Sequence, residues 1–357
     1  MRISAINKSN MKHRTLVLVL IVGIFCSAPW QRAAAADPAW TTSIVEEDDY
    51  WTPGHQDRHY THGIRLSTTT GDLDDSVWRA PFTFLGNYTP LFAQQTGPDI
   101  ARRYNIIVLG QNMYTPEDWR PVNPDRRDWP FAGWLYSGFG LMQDTRGESF
   151  EELDLKLGLV GPGSLAQETQ TKYHLLINVQ PFNGWHAQLH NEPTLDLYYA
   201  QKRRYSLWAT ADHLWGLEAL PEAGLRGGNV YDYVSGGAVA RLGRNLAMDY
   251  GPPHIDLNTG ADYINPTRAV HDSIGFYLFA GALGRLVARN MFLDGNSFKS
   301  SPHVTRIPAV GDVEGGAALL FGHWRLAYTY VFRTEEFVHE SGNDHYGSLN
   351  LTFRFGL

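Results

Sequence analysis

Residues 349–357 read Leu-Asn-Leu-Thr-Phe-Arg-Phe-Gly-Leu, and their side chains alternate without a break. Leu349, Leu351, Phe353, Phe355 and Leu357 fall on one side, and Asn350, Thr352, Arg354 and Gly356 on the other. A period of two belongs to a β-strand with two unlike faces. The pattern returns in Glu152–Gly161, where Leu153, Leu155, Leu157 and Leu159 alternate with Glu152, Asp154, Lys156 and Gly158. It returns again in Arg325–Arg333, where Leu326, Tyr328, Tyr330 and Phe332 alternate with Arg325, Ala327 and Thr329. In a soluble sandwich the apolar face turns to a core. In a membrane barrel it turns to lipid, and the polar face lines the lumen.

Working outward, about twelve such strands can be placed. They fall near residues 40–48, 61–70, 103–114, 130–144, 149–161, 193–208, 214–226, 231–242, 274–288, 312–321, 324–335 and 347–357. Aromatics recur near strand ends (Trp134, Tyr136, Trp208, Trp215, Tyr231, Tyr233 and Trp324), as they do in the interface girdles of barrels. Past residue 36 no apolar run reaches the roughly 20 residues that a spanning helix needs. A chain of this kind can therefore enter a membrane only as a closed barrel. The fold class expected is all-β, a transmembrane antiparallel β-barrel of about twelve strands with short helices in its outer loops. Three long connections, residues 71–102, 162–192 and 243–273, are of the length that usually carries function.

The first stretch stands apart from this pattern. Arg2, Lys8, Lys12 and Arg14 precede an apolar core from Leu16 to Phe25, and Ala34-Ala35-Ala36 offers a small-residue cleavage site. That is the layout of a signal peptide, so residues 1–36 are expected to be removed and residues 37–357 to form one domain. The single cysteine, Cys26, lies in the leader, which leaves the exported chain without disulfides. Removing the five basic residues of the leader leaves 25 Lys and Arg against 37 Asp and Glu, a formal charge of −12. Such a surface argues against nucleic acid as a partner.

Two segments could carry chemistry. Glu46-Glu47-Asp48-Asp49 closes the first strand, and Asp57-Arg58-His59-Tyr60-Thr61-His62-Gly63 follows. Clustered carboxylates with nearby backbone carbonyls suit a hard cation, although a solvated strand end is the plainer reading. Residues 165–177 have the makings of a short helix on which Gln170 and His174, four apart, share a face. A histidine among Leu175, Leu176 and Ile177 is more often structural than catalytic. The sequence holds no Gly-x-Ser-x-Gly elbow, no cysteine nucleophile, no His-Glu-x-x-His and no phosphate-binding loop. Water activated by His174 beside a bound cation is the simplest hydrolytic chemistry these residues permit.

Taken in order, these pieces resemble the outer-membrane lipid A 3′-O-deacylases, the LpxR-like family. The residues that carry the resemblance are Glu47-Asp48-Asp49, Asp57-Arg58…Tyr60-Thr61-His62-Gly63 and Tyr114-Thr115-Pro116. They continue through Asp128-Trp129-Pro130-Phe131-Ala132-Gly133-Trp134, Gly161-Pro162, Gln167…Gln170…His174 and Gly227-Gly228-Asn229. The resemblance implies a twelve-stranded barrel whose site lies between the wall and the outer loops. It implies that calcium and a His-activated water cleave the ester of a 3′-linked acyloxyacyl chain of lipopolysaccharide. On that likeness His174 is the general base, Gln170 positions water or ring, and Asp48 is a calcium-ligating carboxylate. Thr61 and Gly63 sit where oxygens complete the metal site.

Two positions depart from the family pattern. Glu47 stands where Asn is common, and Gln180 stands where some members have Glu. A carboxylate is thus expected to have crossed from one side of the ion to the other, which places Glu47 and Gln180 at the site. A smaller departure is Trp129, where Arg is common. Arg58, Arg65, Arg102 and Arg103 are candidates for lipid A phosphates, and a monomer among outer-membrane lipids is expected. Two other readings stand beside this one: a phospholipase-type esterase of the same build, and a non-enzymatic barrel or pore.

Overall fold

The computed structural model describes residues 39–53, 57–73, 77–93, 100–145, 148–246, 249–257, 260–264 and 274–356. The expected leader, residues 1–36, lies outside the described residues, as does Leu357. Thirteen strands form one antiparallel sheet: β1 (Trp40–Asp48), β2 (His59–Thr69), β3 (Ile100–Thr115), β4 (Ala132–Thr145), β5 (Ser149–Val160), β6 (Glu192–Arg203), β7 (Tyr205–Ala209), β8 (Trp215–Gly228), β9 (Tyr231–Arg244), β10 (Gly275–Asn290), β11 (Ala309–Phe321), β12 (Trp324–Arg333) and β13 (Asp344–Phe355). β1 pairs with β13, and β6 pairs with β8, so the sheet closes on itself. β6 and β7 are separated by Arg204 alone and pair in succession along β8. They act as one strand with a break, which gives a twelve-stranded wall plus a short extension.

The strand faces sort as the alternation requires. Along β5, Glu152, Asp154 and Lys156 are buried while Leu155 and Leu157 are exposed. Along β6, Asp196, Tyr198 and Lys202 are buried while Leu195 and Leu197 are exposed. Exposed leucines opposite buried charges mark an apolar outer wall around a polar lumen. Among the described residues no helix is long and apolar enough to cross a membrane, so any crossing is made by strands.

Both ends of the sheet's chain lie at one end of the barrel, together with the short links at 210–214 and 322–323. Short turns belong to the periplasmic end of such barrels. Tyr205, Trp208, Trp215, Phe276 and Phe321 are exposed there and form an outward girdle. Trp134, Tyr136, Tyr231 and Tyr233 do not join a girdle, although their places near strand ends suggested one. They point inward and pack under the outer loops, with the Arg226 guanidinium over the rings of Trp134, Tyr231 and Tyr233. Phase along the strand, not nearness to its end, decides which face an aromatic serves.

Helix α1 (Ala80–Tyr88), in the β2–β3 connection, rests on the periplasmic part of the outer wall. Phe82 is buried with Phe92 and Leu141, against Tyr104 and Leu153, while Phe84 and Tyr88 are exposed. Helix α2 (Ala166–Leu176) lies in the β5–β6 loop at the opposite end, matching the helix expected over 165–177. A third short helix, α3 (Met291–Asp294), caps the lumen from the β10–β11 loop with Phe292 stacked 4.0 Å from Tyr114.

Among the described residues, the lumen holds packed and ion-paired side chains. The described part of the β9–β10 connection turns into the barrel instead of lying over its mouth. Asp249 pairs with Arg325 and Arg241, Lys202 donates to the Gly260 carbonyl, and Arg65 binds Asp262 and the His254 carbonyl. Higher up, Asp256 meets Arg333 at 2.6 Å. Arg325 and Arg333 lie near opposite ends of β12, so the segment climbs almost the whole strand. Each of these charges is buried and paired, the condition under which buried charge is tolerated.

Candidate active site

The site begins with the phase of β1. Thr41, Ser43, Val45 and Glu47 are buried toward the lumen, which leaves Glu46 and Asp48 on the outer wall. In the adjacent strand His62 takes the outer face directly across from Asp48. Oxygen and nitrogen atoms of Glu46, Asp48 and His62 lie within 4.8 Å of one another, close enough for one cation. Glu46 and His62 are 3.8 Å apart and about one-fifth exposed, so the cluster is open on one side. The Asp48 carboxylate also accepts the Tyr50 amide at 2.7 Å, which fixes its direction.

The row continues across the wall. His62 pairs with Met113 on β3, and Met113 pairs with Gly133 on β4. Directly opposite residues share a face, and strands lie about 4.8 Å apart. Gly133 is required where it stands. A Cβ there would come within 2.2 Å of both the Ala166 Cβ and the Ser164 Oγ. Its absence lets the N-terminus of α2 sit directly on the wall. Gln111, also facing outward, donates to the Ser164 carbonyl at 2.7 Å and ties the loop down.

On α2 the buried residues are Ala166, Gln170 and His174, one face at four-residue spacing. His174 Nδ1 lies 3.1 Å from the Gln180 carbonyl, and its ring packs edge-on against Phe182 at 4.9 Å. Phe182 and Met113 belong to one buried cluster with Phe131, Ala166 and Trp185. Gln170 accepts from the Trp185 indole at 2.7 Å, while its own amide nitrogen is buried without a hydrogen-bond partner. The outer wall therefore carries, side by side, a carboxylate–imidazole cluster and a helix whose packed face bears His174 and Gln170. The opposite side of α2 exposes Leu175 and Leu176.

The other expected residues fall elsewhere. Glu47 points into the lumen, where it accepts from Tyr60 Oη at 2.8 Å and from the amides of Ile255 and Asp256 at 2.9 and 3.1 Å. It holds the luminal segment, and the outer-wall carboxylate beside Asp48 is Glu46. Gln180 contributes its carbonyl to His174 while the residue itself is exposed. A charge exchange between Glu47 and Gln180 thus has no common ion to act on. Thr61 is the extra residue of a β-bulge between the Tyr60–Tyr114 and His62–Met113 pairs, with its hydroxyl 2.6 Å from that of Thr115. Gly63 lies opposite Glu47, under the Tyr60 hydroxyl, which would be 2.1 Å from a Cβ.

Of the candidate phosphate ligands, Arg58 is engaged by Glu117 and Asp344, Arg65 by Asp262, and Arg103 by the Tyr263 ring. Arg102 faces outward, but near the periplasmic end, where it donates to Gln143. Glu46 and His62 stood in the motif without being singled out. The period of two, applied strictly to β1 and β2, would have found them. A groove of about 750 Å³ over β9–β11, lined by Gly236, Gly284 and Gly311, contains none of these residues.

Comparison with known proteins agrees with the wall. No curated protein matches the sequence. Among solved structures, LpxR from Salmonella typhimurium superposes with a TM-score of 0.69 at 19% identity, covering 88% of this chain and 99% of that one. The β domain of the Bordetella autotransporter BrkA gives a TM-score of 0.41 at 9% identity, over 89% and 98%. The family described as outer membrane protein LpxR matches residues 16–355. This chain, an outer-membrane β-barrel, belongs to the LpxR family.

Proposed function

We propose that the protein is an outer-membrane ester hydrolase that removes the 3′-linked acyloxyacyl chain from lipid A, exported by the leader that ends near residue 36. The observation that carries this reading is the placement of His174, Gln170 and the Glu46–Asp48–His62 cluster on the lipid-facing side of the wall. A soluble substrate would be met by loops or lumen. A lipid of the outer leaflet is met by the wall itself, beside the exposed Leu175 and Leu176.

His174 has the part of general base. Its Nδ1 faces the Gln180 carbonyl, an acceptor, which favours a proton on that nitrogen and a free lone pair on Nε2. That lone pair takes a proton from water and returns it to the leaving sugar oxygen, a contribution of roughly 10²–10⁴-fold. Gln170, one turn away with its amide nitrogen unpartnered, is assigned the part of holding the water or the ester. Glu46, Asp48 and His62 would hold a divalent cation: the two carboxylates supply oxygens of the kind calcium takes, while the His62 nitrogen is a donor better matched to a transition metal. Calcium is the expected species on the family likeness. When bound, it supplies positive charge toward the ester carbonyl. Asp48 stays in this scheme as a ligand, with Glu46 in the place first expected for Glu47. Thr61 contributes through the backbone of its bulge.

A phospholipase reading shares every one of these groups and differs only in the lipid accepted. A pore finds no support in the lumen, where the described segment from Asp249 to Tyr263 is packed and ion-paired. The test is mass spectrometry of lipid A from cells producing the wild type, His174→Ala or neither. The expected result is loss of one acyloxyacyl mass with the wild type alone. Unchanged lipid A with correctly inserted protein would sink the proposal, and loss of phospholipid acyl chains instead would favour the second reading.

A further inference from the structure

We infer that His59, Glu340 and Asp344 form a second, structural site for a divalent metal of the zinc class, inside the barrel mouth and independent of the deacylase reading. The three residues come from the start of β2, the β12–β13 loop and the start of β13. All are buried, and their ligand atoms lie within 4.8 Å of one another. His59 Nδ1 stands 2.7 Å from Asp344 Oδ2 and 3.3 Å from Glu340 Oε1. Metal–ligand bonds of about 2.0–2.2 Å place neighbouring ligand atoms roughly 3 Å apart, so small shifts would seat an ion among them.

A proton does not serve this arrangement as well as a metal does. One Nδ1–H can satisfy one of the two carboxylate oxygens that face it. Glu340 Oε1 is the one left over, because it is fully buried and accepts no hydrogen bond. The other oxygen of Glu340 is fixed by the amides of Glu336 and Phe337, so the free one is aimed and held. Asp344 is braced on its far side by Arg58 Nε at 3.1 Å. The second ring nitrogen of His59 faces a third carboxylate, Asp128, at 3.5 Å. A metal in place of the Nδ1 proton, which leaves to solvent, would bind both oxygens at once. It would also leave Nε2–H to donate to Asp128, the outer support that metal-bound imidazoles commonly have. Trp129 stacks at 5.4 Å and Phe337 packs edge-on at 5.3 Å, which hold the ring in plane and keep water out. One nitrogen and two carboxylates suit zinc or manganese rather than a soft metal. The bound ion would join the mouth of β2 to the last extracellular loop.

The probe is Zn²⁺ itself. Purified barrel is stripped with chelator, re-exposed to Zn²⁺, and its metal counted by elemental mass spectrometry, with heat-dependent electrophoretic mobility as the check on folding. Glu46→Gln, which removes the outer-wall cluster, is expected to retain one tightly held equivalent and to melt at a higher temperature with Zn²⁺ than without. Adding Glu340→Gln is expected to abolish both. Asp128→Asn, at a partly exposed position, is expected to weaken Zn²⁺ binding by roughly 10–100-fold while the barrel folds normally. It decides the matter should Glu340→Gln fail to fold. The inference is overturned if Glu46→Gln protein holds no equivalent, or if its equivalent survives both further changes at unaltered affinity.

Discussion

His174 owes its position to residues that never touch substrate. Gly133 opens the wall to α2, Gln111 anchors Ser164, and Phe182 sets the plane of the imidazole. Replacing His174 with Ala should therefore cost roughly 10²–10⁴-fold in turnover with the melting temperature of the barrel nearly unchanged, as followed by heat-dependent mobility. Gly133→Ala tests the same site from behind. Its new Cβ meets the Ala166 Cβ, which is fixed by its backbone, so α2 must lift. A displacement of about 1 Å at a reacting group can cost about 100-fold. Lipid A turnover should fall by that order while hydrogen-exchange protection is lost in α2 and retained in β3 and β4.

At the scale of elements, the strands were legible because lipid and lumen demand opposite residues at every step, as in Leu155 against Lys156. Each of the twelve was found with its ends within a few residues. The site was read less well, for a definable reason. In β1 both faces carry apolar residues, Ile44 outward and Val45 inward, so hydropathy does not reveal the phase. Motif likeness then joined Glu47 to Asp48, although neighbours in a strand must face opposite ways. The cluster around His59 was illegible because its members are brought together by barrel closure, with residues 59 and 340 far apart along the chain. The β12–β13 loop also carries a pH signature. Burial holds the Glu336 carboxyl up at about 7, against the pull of Arg333 and Arg285 and with Asp256 and Glu340 adding repulsion. A folded value above the ordinary 4.5 means that the folded loop keeps a proton the unfolded loop releases. This contribution to stability is full below about 4.5 and is lost as pH rises to about 7. Hydrogen exchange in 334–343, measured without metal, should be slower at pH 5 than at pH 8 after correction for intrinsic rates, and Glu336→Gln should remove the difference.

At the scale of the molecule, the lumen is a second core made of ion pairs. Asp249 sits between Arg241 and Arg325 with no exposure at all. Breaking such a group by removing one charge costs roughly 3–5 kcal/mol. Asp249→Asn should lower the unfolding midpoint in denaturant accordingly, and an unchanged midpoint would show that the segment is not held this way. Wild-type protein in a planar bilayer should pass no steady current.

The same segment reaches across the junction where the chain's first strand meets its last. Glu47 on β1 holds the Ile255 and Asp256 amides, Arg65 on β2 holds Asp262, and Arg325 on β12 holds the Ala261 carbonyl. The described part of this segment thus braces the barrel where its first and last strands meet, and loosening it would weaken closure of the wall as well as the interior.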